Sequence, residues 1–495
     1  MKEAFVVLGN QLFDKKHLIT YKKNCHFFLQ EDHGLCTYFK HHKQKIYYFL
    51  ASMREYRDYL KLNNFEITYY ELDQNVKNFK NYFDGLDFFL NKKKIKKINI
   101  FDIEDLKFKK EFEKYCSKKD FKFEYHSSPM FLLKREDFSK FSDYKKPQLS
   151  SFYSQIRKKF NILMDKDRPI GGKWSFDEDN RKRLPKDYKK FTPQQFESKY
   201  FKPIKDLIQK HFSDHFGELN PKILFPFNTK DSKKVLENFI HNKFNHFGDY
   251  EDFIHDGDLT INHSLISAPL NMGLITPSDV LKKITDINYK KVGLNNYEGF
   301  IRQIIGWREF IRYLNFTHYN EFHKNNFFKN KRKLSKHWYE GTTNIPILNE
   351  TINNLKSSGY VHHIPRLMVL SNIMNLSGIE PQEVYKWFME TFIDSSDWVM
   401  TPNVFGMGLF SDGGIFATKP YICGSNYLLK MSNYSKGEWT KTMDGLYWNF
   451  IFNNKEYFKS NYRLSMMYHS INKMDKEKLS NHLKNAKNFI STYTK

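Results

Sequence analysis

Cysteine is scarce in this chain. There are four among 495 residues, Cys25, Cys36, Cys116 and Cys423, and no two form a CxxC. A disulfide-built fold is thereby excluded, no zinc or iron–sulfur spacing is present, and a reducing cytoplasm is the expected compartment. Long apolar runs are missing too: none reaches the roughly 18 uninterrupted residues of a membrane helix. The opening MKEAFVVLGNQ has no apolar signal core, so a soluble protein with no membrane partner is expected. No GxGxxG follows the first apolar run, which removes the dinucleotide fingerprint. Negative charge is in deficit: 56 acidic residues against 80 Lys and Arg leave a formal +24. Such an excess suits a polyanion, nucleic acid first, although a lysine- and asparagine-rich composition, as in KNNFFKNKRK (324–333), generates part of it without function. Aromatic residues are abundant, with 48 Phe and 31 Tyr. They imply a large core and are compatible with a planar ligand.

Hydrophobic periodicity divides the chain. Over the first 130 residues, β-branched or aromatic runs at 4–8, 66–72, 97–101 and 121–125 alternate with helical patterns at 47–60 and 104–116. That alternation predicts a parallel sheet with crossover helices, a Rossmann-like α/β domain over 1–130. Gly9, Asn10 and Gln11 follow the first strand, where such sheets place ligands. Residues 131–200 lose periodicity and read as a connector that packs, because Trp174 and Phe176 sit among its glycines. From 201 to 495 helical patterns dominate, predicting a larger all-helical domain.

Three stretches carry chemistry. HSLISAPLNMGLITP (263–277) places Ser264 and Ser267 before an apolar helix, an arrangement that suits an anion but more often only caps a helix. NYEGFIRQIIGWREFIR (296–312) carries Gln303 and Arg308 on a helix that, taken alone, reads as amphipathic with a salt bridge. YVHHIPRLM (360–368) puts two imidazoles in an apolar pattern; a core histidine is the usual explanation, and proton transfer the alternative.

Together with GGKWSFDEDNRK, HHKQKI and FSDGGIFATKPY, these stretches resemble the photolyase and cryptochrome superfamily, and within it the prokaryotic branch that repairs pyrimidine (6-4) photoproducts. The resemblance implies an N-terminal antenna domain and a helical domain holding FAD, with UV-damaged DNA as partner and a monomeric chain. It places Ser264, Leu265 and Ser267 at the cofactor phosphates, Gln303 and Arg308 along the cofactor, and Asp394 and Asp397 near the flavin, with Arg366 as the partner of Asp394. His363 becomes the proton donor to the lesion and His362 its support. Tyr421 and Met407 line the lesion pocket, Arg181 lies near DNA, and Lys45 is expected to face DNA. Trp387 belongs to an electron relay whose surface end is Trp338 or Tyr339; Phe388 stands where relatives carry a tyrosine. Relatives hold a [4Fe-4S] cluster on four cysteines, and here Ser435 and Glu438 stand where two of those ligands would be, so no cluster is expected. A lumazine antenna at Gly9, Asn10 and Gln11 is implied more weakly. A blue-light receptor of the cryptochrome type and a cyclobutane-dimer photolyase remain the alternatives.

Overall fold

The computed structural model describes residues 3–73, 78–141 and 147–495. Five parallel strands, β1 (Glu3–Val6), β2 (Cys25–Gln30), β3 (Ile67–Tyr70), β4 (Lys97–Phe101) and β5 (Lys122–His126), lie in the order β3-β2-β1-β4-β5. Along β1 the side chains alternate, Ala4 and Val6 toward one core, Phe5 and Val7 toward another. The first core is local, closed by the helices Tyr82–Lys92 and Leu106–Lys119 through Leu86, Phe89 and Phe112. The second runs without a break into the helical half, where it includes Phe310, Leu370 and Phe405. The sheet's second face is therefore covered by the rest of the protein.

The helix Lys43–Leu62 joins the two halves. His42 caps it: Nδ1 accepts from the Gln44 amide at 3.0 Å, and Nε2 lies 2.9 Å from the Leu355 carbonyl. One nitrogen accepting and the other donating fixes a neutral imidazole, and burial lowers its pKa to about 4. HHKQKI is thus a joint between halves. Connector residues pack as their aromatic content predicts. Arg157 donates to the Trp174 carbonyl at 2.9 Å and its guanidinium lies 5.3 Å from the Trp174 ring. Asn180 is buried against the helical half and bonded to Glu251.

Candidate functional site

Three segments with wide π-helical turns, Arg302–Trp307, Pro365–Ser371 and Pro402–Gly408, meet at one cavity. A π turn inserts a residue into an α-helix and re-aims the side chains beyond it, commonly at functional sites. Here the segments direct Gln303, Trp307, Leu367, Met368 and Met407 into a space of about 630 Å³. Ser264, Ser267, Arg308, His363, Arg181 and Tyr421 share its wall, so sequence-predicted residues from distant stretches converge.

Arg366 and Asp394 pair through the two terminal guanidinium nitrogens, at 2.9 and 3.0 Å, a planar fork on a carboxylate. Ser267 Oγ donates to the same carboxylate at 2.7 Å. That hydroxyl is therefore committed to Asp394 and does not cap its own helix, Ser267–Met272, which has no side-chain cap. Arg366 also stacks over Phe392 at 4.2 Å, and Phe392 is 6.2 Å from the buried Trp387 ring. Trp387 Nε1 donates to the Trp338 carbonyl at 3.1 Å.

The two histidines separate at a helix start. The helix begins at His363, so His362 lies just before it. His362 is buried and stacks on His263, with ring centroids 4.3 Å apart and planes at 22°. His363 opens into the cavity. Surrounding protein first, and Arg366 second, bring its pKa down to about 4. Burial and the neighbouring imidazoles hold His362 and His263 lower still. Of the pair, only His363 can meet a ligand in the cavity.

Several predicted residues stand elsewhere. Lys45 does not face solvent: it is 5% exposed, donates to Ser395 Oγ at 2.7 Å and lies 3.3 Å from His41 Nδ1. Burial lowers its pKa to about 7. Leu265 takes a left-handed φ of 57° and turns its side chain into a small neighbouring pocket beside Lys243, away from the main cavity. Asp397 binds the Tyr385 hydroxyl at 2.6 Å and lines a different cavity. Gln11 is buried beneath the strand ends, its amide donating to Asp102 O at 3.0 Å, and it lines neither cavity. Trp338 is fully buried and is no surface terminus; Tyr339, half-buried with its hydroxyl on Glu390, is the more accessible of the two.

Sequence reading missed an acidic and basic cluster on the cavity wall: Asp177, Glu251, Asp252 and Arg302. Arg302 bonds Glu298 Oε1 at 3.1 Å and Asp177 Oδ1 at 2.9 Å. Burial raises Glu251 to about 8, against the opposing pull of Arg302. Burial and then Asp177 raise Asp252 to about 6. In GDYEDF no pattern signals this, because the burial is created by the connector, which folds over it with Asn180, 71 residues earlier in the chain.

A second cavity, about 170 Å³, lies between the strand ends and the helical half. Gly9, Asn10, Lys45, Asp394 and Asp397 line it. Six buried polar atoms of its lining residues have no partner among the described residues: Gln30 Oε1, Tyr48 Oη, Tyr82 Oη, Ser396 Oγ, Asp397 Oδ2 and Trp398 Nε1. The helix Ser267–Met272 is the partition: Ser267 and Leu270 line the large cavity, Asn271 and Met272 the small one.

The FAD implied by the family resemblance fits the large cavity by a property of Arg308. This guanidinium, on a half-buried residue, sits between Phe131 and Trp398, each 4.8 Å away, bonds Asn271 Oδ1 at 2.7 Å and Leu270 O at 3.3 Å, and leaves Nε without a partner among the described residues. Burial depresses its pKa to about 10. A buried cation with donor capacity to spare calls for an anion, and a cofactor pyrophosphate supplies one.

Comparison with known proteins agrees. Residues 5–224 match the model of the deoxyribodipyrimidine photo-lyase-related proteins, and residues 300–425 that of the FAD binding domain of DNA photolyase. A (6-4) photolyase of Agrobacterium fabrum is 30% identical over 488 residues, covering 94% of this chain and 95% of the relative. An uncharacterized mimivirus protein, R855, is 57% identical over 93 residues, 19% of this chain and 76% of its own. Two solved structures share the fold: a class III photolyase of Agrobacterium tumefaciens (TM-score 0.56, 16% identity, 99% of this chain and 97% of that one) and a Synechocystis cryptochrome (TM-score 0.57, 14% identity, 82% of each). Domain models at both ends, a relative matched end to end and a fold of the same order place one conclusion on the chain: it belongs to the photolyase and cryptochrome superfamily, in its photolyase-related branch.

Proposed function

We propose that this protein repairs pyrimidine (6-4) photoproducts in DNA, driven by blue light, with His363 as the proton donor. The observation that carries the reading is the place of His363, on the wall shared by the cofactor-side residues Gln303 and Arg308 and by Met407 and Tyr421. FAD, when bound and reduced, supplies an excited electron donor beside a nucleotide flipped from the duplex. The chain's part is to bind, orient and manage the proton. Arg308 would hold the cofactor phosphates, while Arg366, fixed by Asp394, would place a cation behind the cavity wall formed by His363, Ile364 and Leu367. His363, its pKa held low at about 4, gains a proton when negative charge arrives next to it, since an anion within about 4–6 Å raises an imidazole pKa. Leu367, Met368 and Met407 keep that exchange dry. Arg181 guides the phosphate backbone, and Trp387 with Tyr339 carries electrons inward past Phe392. The second cavity suits a planar antenna such as a lumazine, one helix away from the flavin.

Illumination of reduced holoprotein with oligonucleotides carrying either lesion tests this. Restoration of the (6-4) site by the wild type, with a loss of at least about 100-fold in His363→Ala, is expected for a positioned acid–base group. Repair of cyclobutane dimers indifferent to His363 would replace the reading with the dimer enzyme; repair of neither, with a photoreceptor.

A further inference from the structure

Two side-chain amides in series lead to the Glu251 carboxyl on the wall of the large cavity, and their direction is set at the far end. Asp249, in an ion pair with Lys182 at 2.7 Å, offers only acceptors, so Asn295 turns Nδ2 toward it, also at 2.7 Å. The same Nδ2 reaches Asn180 Oδ1 at 3.4 Å, which leaves Asn180 Nδ2 to donate to Glu251 Oε1 at 3.0 Å. Oε1 is thereby held as an acceptor, with Arg302 3.7 Å away on the same side. Burial raises the Glu251 carboxyl to about 8, and the proton it keeps has one place left, Oε2. Oε2 faces the terminal amide of Gln303, whose nitrogen lies 3.4 Å from it. That amide can reverse about its last bond; its two ends are alike in shape and opposite in hydrogen bonding. With a proton on Oε2, the Gln303 carbonyl turns to Glu251 and the NH2 faces the cavity. Without one, the NH2 turns to the carboxylate and the carbonyl faces the cavity.

We infer that Glu251 is a positioning residue: through Oε2–H it fixes the orientation of the Gln303 amide, so that the cavity offers a hydrogen-bond donor to the flipped base. The inference deepens the repair reading above and rests on it, since a donor on the wall shared with His363, Met407 and Tyr421 selects a ring carbonyl of the lesion over an amino group. A mismatch there leaves two buried polar groups unpaired, which is why such contacts discriminate strongly. The charged groups around Glu251 are Arg302 with Glu298 and Asp177, Asp252 with Arg181, and His263, which lies 3.1 Å from the Glu251 carbonyl; His363 shares the cavity wall. Asp252, His263 and His363 titrate at about 6, 3 and 4, below the range in which Glu251 changes. Lys243, whose charge acts on His263, is lowered by burial to about 8 and is the rival in that range.

The test is a pH profile of discrimination. Affinity of the holoprotein for a (6-4) duplex is divided by its affinity for the same duplex undamaged, which cancels changes common to phosphate binding. With a carboxyl titrating at about 8, about one molecule in eleven keeps the proton at pH 9, so the wild-type ratio should fall about tenfold between pH 7 and pH 9. Glu251→Gln places an NH2 where Oε2–H stood, because Asn180 still requires a carbonyl on its side, and should hold the ratio high and flat across that range. Gln303→Ala should give a low and flat ratio, alone or combined with Glu251→Gln. A fall that survives in Glu251→Gln would assign the titration to another group, Lys243 first. A fall that survives in Gln303→Ala would separate Glu251 from the amide, and a flat wild-type profile would likewise overturn the inference. In each of those outcomes wild type still prefers damaged DNA. Absence of that preference at every pH would instead remove the repair reading, and this inference with it.

Discussion

Burial pushes the Glu251 carboxyl well above the usual carboxylate range. It lines the cavity with Asp177, Asp252, Arg302, Gln303 and His363; Oε1 accepts from Asn180 at 3.0 Å and lies 3.7 Å from Arg302, and Gln303 reaches Oε2 at 3.4 Å. Because its pKa rises from the usual carboxylate value to about 8, the folded state binds a proton that the unfolded state has released between pH 4.5 and 8. Stability from this group is therefore present in full below pH 4.5 and is lost as pH rises through 8. Each unit of difference is worth about 1.4 kcal/mol. Glu251→Gln keeps the shape and removes the titration. Its denaturation midpoint should match wild type near pH 5 and exceed it by pH 8, by an amount corresponding to a few kcal/mol; parallel curves across that range would assign the stability slope to other groups. Asp394 acts through its pairing with Arg366. Asp394→Ala leaves the partly buried Arg366 guanidinium against Phe392 without its carboxylate, a loss of up to about 3 kcal/mol, the lower end for a broken buried pair. Purified variant should retain little flavin, read as absorbance near 450 nm relative to protein, and wild-type retention would remove Asp394 from the cofactor site.

Among the elements, the π-helical segment Pro402–Gly408 is held by close packing at Gly406. A Cβ on Gly406 would stand 2.5 Å from Phe416 Cβ, and Phe416 stacks on Trp307 at 5.8 Å with planes 9° apart. Gly406→Ala therefore pushes one cavity-wall segment into another. Overpacking of this kind costs about 1–3 kcal/mol, and the expected readout is a lower thermal midpoint together with faster flavin loss on dilution. Elements of this kind mark the limit of sequence reading. Strand β1 and strands β3 to β5 are legible in the sequence because each has turn signals at its ends. Strand β2, CHFFLQ, escaped because every one of its residues is buried, so no alternation remains to see. The helix Tyr82–Lys92 was missed for a related reason, since its apolar positions are crowded with charged and aromatic neighbours. His363, Arg366 and Asp394 were legible from the motifs that hold them. Lys45 was misjudged because an isolated lysine is solvated far more often than buried, and its burial depends on Met389 and Ser395, almost 350 residues on. Glu251 carried no signal, its environment being made by the connector.

At the scale of the whole molecule, four cysteines are too dispersed to act together: Cys25 and Cys116 are buried in the sheet domain, Cys36 lies between the halves, and Cys423 is buried in the helical half. Among the described residues no group of His, Cys, Asp and Glu is arranged to hold a metal. Iron and acid-labile sulfide in aerobically and anaerobically purified protein are each expected well below one per chain, and stoichiometric values would overturn that expectation. The net charge of +24 acts on a longer range than any of these contacts, but only the cations that reach phosphates release counterions. Lysines at the amino-terminal edge of the sheet, such as the exposed Lys94, lie across the domain from the strand ends that meet the helical half. Lys419 and Lys459 lie beside the cavity and its C-terminal flank. A site neutralising about six phosphates would give a slope of log Kobs against log salt near −5 on duplex DNA. Lys419→Ala and Lys459→Ala should each make that slope shallower by about one, and Lys94→Ala should leave it unchanged. If all three variants changed the slope equally, the charge would be acting as a diffuse field, and the cavity face would lose its claim to be where the duplex docks.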